Sequence, residues 1–330
     1  MQLNNELNDS IAENFTPKKT LKTAVLFLIF NRLETTKQVF EVIRKAKPSM
    51  LFIAADGARP AKQDESEKVR SVRDYVVNNI DWDCEVKKLF HSQNYGCKNA
   101  VSKGISWFFE NVEEGIILED DVVPDITFFS FCSEMLQHYR NNPQIMHIGG
   151  NNFLRDKIQR DASYYFSIYP HIWGWATWKR AWDHYDVKIK SFEKFKEQRR
   201  IKTLLKNNRA QNYWLKKFEM VYNSQIDTWD YQWVYSIWNN SGICITPSTN
   251  LSKNIGFGNE ATHTSVVNPF IENQITYRID KIIHPKEIVV DTFADNYMFK
   301  KIFYPNYLIK LKIKIREILF LIRKKYRLKF

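Results

Sequence analysis

Short apolar runs alternate with amphipathic stretches along the first half of the chain. Thr23–Phe30, Leu51–Ala55 and Gly115–Leu118 are continuous and β-branched, as strands buried on both faces should be. Glu85–His91 alternates in part, and Met146–Gly149 is another short apolar run. Between them lie four helical patterns. Glu34–Lys45 stops before Pro48, and Lys62–Asn79 carries acids early and bases late. Asn99–Glu110 lines up Val101, Ile105, Trp107 and Phe108, and Ile126–Tyr139 follows the third apolar strand. This rhythm predicts an α/β fold over residues 21–150, a mostly parallel sheet with helices on both faces. Residues 1–20 read as a flexible polar lead-in.

From residue 150 the rhythm breaks. Residues 161–182 are aromatic, 190–224 look helical and basic, and 226–264 mix a helix, a strand and a polar loop. The span 151–299 reads as a substrate-shaping half of the same domain, followed by a basic tail over 300–330. With 330 residues the chain has ample length for one large core. No internal repeat, P-loop or GxGxxG is present, so ATP-type and dinucleotide-binding readings lose support.

The densest chemistry is Gly115-Ile-Ile-Leu-Glu-Asp-Asp121. A buried strand ends there in three adjacent acids, Glu119, Asp120 and Asp121. Such carboxylates repel one another unless a cation or hydrogen-bond donors compensate. Hard oxygen ligands at the carboxyl end of a strand suit Mg²⁺ or Mn²⁺ holding a diphosphate. A polar entry to the next helix is the plainer alternative.

Other strand ends carry polar residues as well. Arg32, after Asn31, can fork onto phosphate, or Asn31 can simply cap a helix. Asp56-Gly57 can read a ribose or a base, or form a turn. Asn94–Ala100 offers backbone N–H groups at a helix start, with Lys98 or Lys103 for a phosphate, or is a plain cap.

His171–Trp178 places Gly174 between Trp173 and Trp175, as in a wall under a sugar ring. The spacing of Trp175, Trp178 and Trp182 also fits a core-packed helix start. Asp227 and Asp230 flank Trp229. A carboxylate among rings can serve as a base, while Asp227 also suits a helix N-cap. Asn254–His263 is a Gly-spaced polar loop whose His263 could close on the diphosphate or join the metal, or be inert.

Charge modifies this picture mainly at the C-terminus. The net charge is +12, and residues 301–330 hold ten Lys or Arg against one acid, Glu317. Charge alone therefore does not argue for nucleic acid. The tail mixes Leu, Ile and Phe with its bases, which suits an anionic membrane surface or a solvated helix. No apolar run reaches the roughly 20 residues of a membrane span. Four cysteines match no zinc pattern and no secretory signal precedes them, so a cytoplasmic protein is expected, with peripheral attachment as an option.

Taken in order, these motifs resemble bacterial glycosyltransferases of the GT-A fold, in the group similar to α-mannoside β-1,2-N-acetylglucosaminyltransferase I. The resemblance covers roughly residues 22–265. It implies a GT-A, Rossmann-like sheet and a metal-dependent, inverting transfer from a nucleoside-diphosphate sugar, a UDP-sugar by the match of Asp56, to a glycan or glycolipid. Asn31-Arg32 stands where the family has Asp-Arg near donor phosphate. Asp56, with Gly57, matches the acid that reads uracil. Glu119-Asp120-Asp121 matches its Glu-Asp-Asp, the last acid binding Mn²⁺ or Mg²⁺ and the earlier ones facing the nucleotide sugar. Lys98 stands near a family His. Trp173-Gly174-Trp175 falls near a family Gly-Trp, and with Trp229 is expected on the acceptor side. Asp227 and Asp230 bracket the segment holding the catalytic base, and Gly256-Phe257-Gly258…His263 resembles the closing loop. A silent nucleotide-sugar or glycan-binding protein, and a metal-dependent nucleotidyltransferase or phosphohydrolase, remain as alternatives.

Overall fold

The computed structural model describes residues 20–154, 160–257, 271, 274–305, 311 and 315. The expected lead-in, most of the expected tail and His263 lie outside these residues.

β1 (Ala24–Ile29), Ala-Val-Leu-Phe-Leu-Ile, is buried along its whole length. It pairs in parallel with β2 (Met50–Ala55) on one side and β4 (Glu114–Glu119) on the other. β3 (Glu85–Phe90) extends the parallel run beyond β2. Here the chain matches its pattern: strands covered on both faces need apolar side chains at every position. Phe27 has no solvent exposure, and truncating it to Ala would cost about 3–5 kcal/mol. β3 is an edge strand whose Glu85 and Lys88 stay exposed, charges that discourage further pairing.

The sheet continues past β4 through strands of the second half. The order is β3-β2-β1-β4-β8-β6-β9-β7, with β6 (Ile145–Gly149), β7 (Tyr164–Ser167), β8 (Trp175–Trp178) and β9 (Ile243–Pro247). β8 runs antiparallel between β4 and β6, and β7 runs antiparallel to β9. A two-stranded ribbon, β5 (Val122–Pro124) with β10 (Ser252–Asn254), sits directly after the acids. The sheet is thus α/β and mostly parallel in its first half, as expected, and mixed in its second.

Two expectations change. Trp175–Trp178 is a strand and not a helix start, so Trp175 and Trp178 fall on opposite faces of the sheet. Trp175 is 1% exposed, stacked between His147 and Trp229 with ring centroids 5.2 and 5.8 Å away. It supports the wall from behind and touches nothing in the cleft, against its expected acceptor role. The long basic helix is three pieces, Phe192–Glu197, Ile201–Leu204 and Asn208–Tyr222.

Candidate active site

β1 has β2 on one side and β4 on the other, so the chain crosses over at β1. In open α/β sheets a crevice opens at the carboxyl ends of such strands. A cleft of about 620 Å³ lies there, lined among others by Asp56, Arg59, Glu119, Asp121, Trp173 and Asp230. A second hollow of about 730 Å³ adjoins it, sharing Arg32, Gly256 and Phe257.

Arg32 follows β1 and its carbonyl accepts the Thr36 N–H at 3.0 Å, opening the helix Leu33–Ala46. Its guanidinium turns across to β4. There it pairs with Asp120 at short range and with Asp121 Oδ2 at 2.9 Å. The Phe30 N–H donates to the other Asp120 oxygen at 3.2 Å. Arg32 therefore answers the repulsion between two of the acids, where a free phosphate fork was expected. Burial pushes the Asp120 carboxyl up, and Arg32 and the Phe30 N–H oppose that rise.

The Glu119 carboxyl makes no hydrogen bond or ion pair among the described residues. Burial, with Asp121 and Asp120 beside it, holds its carboxyl well above the usual carboxylate range. Asp121 keeps its Oδ1 without a protein partner among the described residues. The ribbon β5–β10 brings the segment after Asn254 onto this acid: the Ile255 N–H donates to the Asp121 carbonyl at 2.8 Å.

No group of three or more His, Cys, Asp or Glu among the described residues is placed to hold a metal ion. The donor chemistry nevertheless fits a hard cation. One free carboxylate oxygen at Asp121, completed by substrate phosphates and water, is an ordinary Mg²⁺-type site.

Asp56 does something the sequence did not indicate. Its two oxygens accept the N–H groups of Gly57, Tyr95 and Gly96 at 2.9–3.1 Å. Both are thus engaged in holding the loop that opens the helix Gly96–Phe109, leaving little capacity to read a base. Gly57 packs on the Gln93 backbone, where a Cβ would fall 2.4 Å from its carbonyl carbon. Asn31 does not cap a helix. Its amide donates to Glu65 at 2.9 Å, and Glu65 also holds Arg59, whose guanidinium lies 5.5 Å from the Phe30 ring centroid.

Across the cleft, Asp230 opens the helix Asp230–Asn239, and Asp227 lies before it and is no N-cap. Asp230 Oδ1 accepts from the Thr228 hydroxyl and from the Tyr231 N–H at 2.8 Å. Asp227 is 62% exposed, and its Oδ1 lies 3.5 Å from Lys98 Nζ. Lys98 thus serves an acid at the rim, where a phosphate was expected. Cys97 sits among these acids. Burial and the charges of Glu119, Asp230, Asp227 and Asp56 push its thiol up to about 12, which disfavours the thiolate.

Trp173 is half-buried against Phe257, centroids 5.6 Å apart. Trp229 touches the cleft but is 3% exposed, its ring committed to Trp175.

Two cleft residues were missed, Arg59 and His91, together with Glu65 behind Arg59. The His91 Nε2 is buried without a partner, and burial lowers its ring below the ordinary imidazole value. Each gains meaning from residues distant in sequence, and no local signal marks them.

No family model matches the chain, and no curated protein does. Solved structures show distant likeness. A mannosyltransferase from Pyrobaculum calidifontis, in complex with GDP-Man and Mn²⁺, is 11% identical over 53% of this chain, with a TM-score of 0.33. This chain covers 51% of that protein, about half its length. Residues 1–349 of S. aureus TarS are 8% identical over 70% of this chain and 59% of that one, TM-score 0.38. A UDP-glucose pyrophosphorylase complexed with UDP-glucose is 12% identical over 44% of this chain and 62% of its own, TM-score 0.24. At these identities and scores the likeness assigns neither substrate nor chemistry, which must come from the cleft itself.

Proposed function

We propose that the chain is a glycosyltransferase taking its sugar from a nucleoside-diphosphate sugar, as the resemblance to GT-A enzymes implies. The observation that carries this reading is a set of three acids faced by a single acid across one cleft. Glu119, Asp120 and Asp121 end a parallel strand on one side, and Asp230 faces them from a helix start on the other. Arg32, already paired with Asp120 and Asp121, borders the cleft and would offset part of the negative charge growing on a leaving diphosphate. When a divalent ion is bound, Asp121 and the donor phosphates would hold it, and it would supply further charge neutralisation at the leaving group.

Asp230 is the proposed base. Thr228 and the Tyr231 N–H fix one of its oxygens, leaving Oδ2 to take a proton from an acceptor hydroxyl. The deprotonated oxygen then attacks the anomeric carbon from the face opposite the leaving diphosphate. A single displacement of this kind inverts that centre. Glu119, whose carboxyl lines the cleft without a hydrogen bond or ion pair among the described residues, is the proposed partner for a hydroxyl of the transferred sugar. His91, Phe30 and Arg59 line the place proposed for the nucleobase, taken as uracil from the resemblance alone because Asp56 is engaged with backbone N–H groups. Trp173 offers its ring to the acceptor, a glycan or glycolipid.

The test is product analysis with UDP-sugars and Mn²⁺, with and without simple glycoside acceptors. Release of a nucleoside diphosphate, raised by acceptor, supports the reading. Release of pyrophosphate or sugar phosphate instead would make the chain a nucleotidyltransferase or phosphohydrolase.

A further inference from the structure

The helix that carries the proposed base begins without an ordinary cap. Its N-cap residue is Trp229, whose side chain accepts nothing from the first turn. Ser, Thr, Asp or Asn usually stands at such a position and fixes the entry of the chain. Here the turn Thr228-Trp229-Asp230, all of it lining the cleft, is fixed from behind.

Two side chains do this, one on each of two successive carbonyls. Gln232 Nε2 donates to the Thr228 carbonyl at 2.5 Å and to the Val187 carbonyl at 3.4 Å. The Tyr185 hydroxyl donates to the Trp229 carbonyl at 3.2 Å. The peptide planes on both sides of Trp229 are thereby held against rotation.

Both donors are themselves fixed. Gln232 is 1% exposed. The Tyr185 ring stacks on Trp182, with centroids 4.2 Å apart and planes within 9°. The Trp182 indole N–H donates to Ser106 Oγ at 3.0 Å, on the helix Gly96–Phe109 whose Gly96 and Cys97 also line the cleft. Beyond Tyr185, the Asp186 carboxylate accepts the Lys188 and Lys190 N–H groups at 2.9 and 2.7 Å. Those bonds close the turn that presents the Val187 carbonyl to Gln232.

The position of this backbone decides where the base points. The Thr228 hydroxyl donates to Asp230 Oδ1, so rotation of either peptide plane would break that bond and turn Oδ2 away from the acceptor. Misplacing a reacting group by about 1 Å can cost on the order of 10²-fold in rate.

We propose that Tyr185 and Gln232 are positioning residues for the base: they clamp the Trp229 and Thr228 carbonyls and so aim Asp230 at the acceptor hydroxyl. The proposal rests on the reading of Asp230 as that base. The plainer role for both side chains is support of the fold alone. Gln232 Oε1 speaks against it, because that atom is buried without a partner. An orphaned buried oxygen is destabilising, and an apolar residue of similar length would avoid it. The amide is therefore better explained by what its N–H groups hold.

The test is steady-state kinetics with a UDP-sugar, Mn²⁺ and a glycoside acceptor on which wild type turns over. Tyr185→Phe keeps the ring on Trp182 and removes only the hydroxyl. It should lower kcat by about tenfold or more, with the donor KM and the thermal midpoint unchanged. Gln232→Met should lower kcat likewise; if it also lowers the midpoint, Tyr185→Phe decides alone. In an Asp230→Asn background neither change should reduce the residual rate further, because a residue that acts through the base has nothing left to aim. Wild-type kcat in Tyr185→Phe and Gln232→Met overturns the proposal and leaves the catalytic reading standing. A loss that persists in full on top of Asp230→Asn assigns the pair to the fold and also overturns it. No turnover by wild type, or full turnover by Asp230→Asn, overturns the catalytic reading and this proposal with it.

Discussion

Gly256 lies so close to Asp121 that a Cβ there would fall 2.0 Å from Asp121 Oδ2 and 2.7 Å from Arg32 Nη1. The loop after β10 therefore lies against one side of the Asp121–Arg32 pair, and a side chain at 256 would have to displace it. Gly256→Ala should displace that pair while leaving the sheet intact. Isothermal titration with UDP should show at least a tenfold loss of affinity, with the circular dichroism spectrum unchanged. Wild-type affinity in this variant would mean that the pair plays no part in donor binding.

Arg32 balances two acids, Asp120 buried and Asp121 partly buried. Arg32→Ala leaves Asp120 and Asp121 facing each other without a cation, and should cost about 3 kcal/mol in denaturant unfolding. Added Mn²⁺ should stabilise this variant more than wild type, because the ion would take over the charge that the guanidinium neutralised. Stabilisation of neither protein by Mn²⁺ would indicate that Asp121 does not face a cation.

The two candidate bases differ in how they are held. Asp230→Asn should keep nucleotide binding and reduce transfer by a factor of 10³ or more on an order-of-magnitude estimate. Asp227→Asn, at an exposed rim, should reduce it by less than about tenfold. Transfer retained by both variants would remove the proposed base.

Much of the donor half was legible because its physics is local. β1 and β4 are continuous apolar runs since both faces are covered, and the acids after β4 stand out against such a run. The second half was harder to read. Trp175 and Trp178 are three apart, a spacing that fits a helix as readily as two faces of a short strand. The three-residue strands β5 and β10 are too short to show a period. Asp56 was noticed, but its engagement with the Tyr95 and Gly96 N–H groups is a contact across some forty residues. The Arg59–Glu65 pair needs the fold of the connecting loop. Partners of that kind are set by tertiary packing and leave no pattern in sequence.

Asp295 gives a pH dependence with a definite sign. Burial raises its carboxyl to about 7, against 3.8 when unfolded. Between those values the folded state holds a proton that the unfolded state has lost. Stability therefore falls as pH rises from about 4 to about 7, the reverse of an ion-paired acid. Thermal midpoints across that range should decline more steeply for wild type than for Asp295→Asn. Parallel profiles would show that Asp295 is ionised in the folded protein.

The central claim is that the acids after β4 bind a nucleoside-diphosphate donor. It is tested most directly by thermal stabilisation with a panel of nucleoside diphosphates and nucleotide sugars, with and without Mn²⁺, on wild type and Asp121→Ala. The account predicts that one nucleotide, UDP before others, stabilises wild type in a metal-dependent way and leaves Asp121→Ala unmoved. No response of folded wild type to any nucleotide with metal present, or an equal response in the variant, would contradict it.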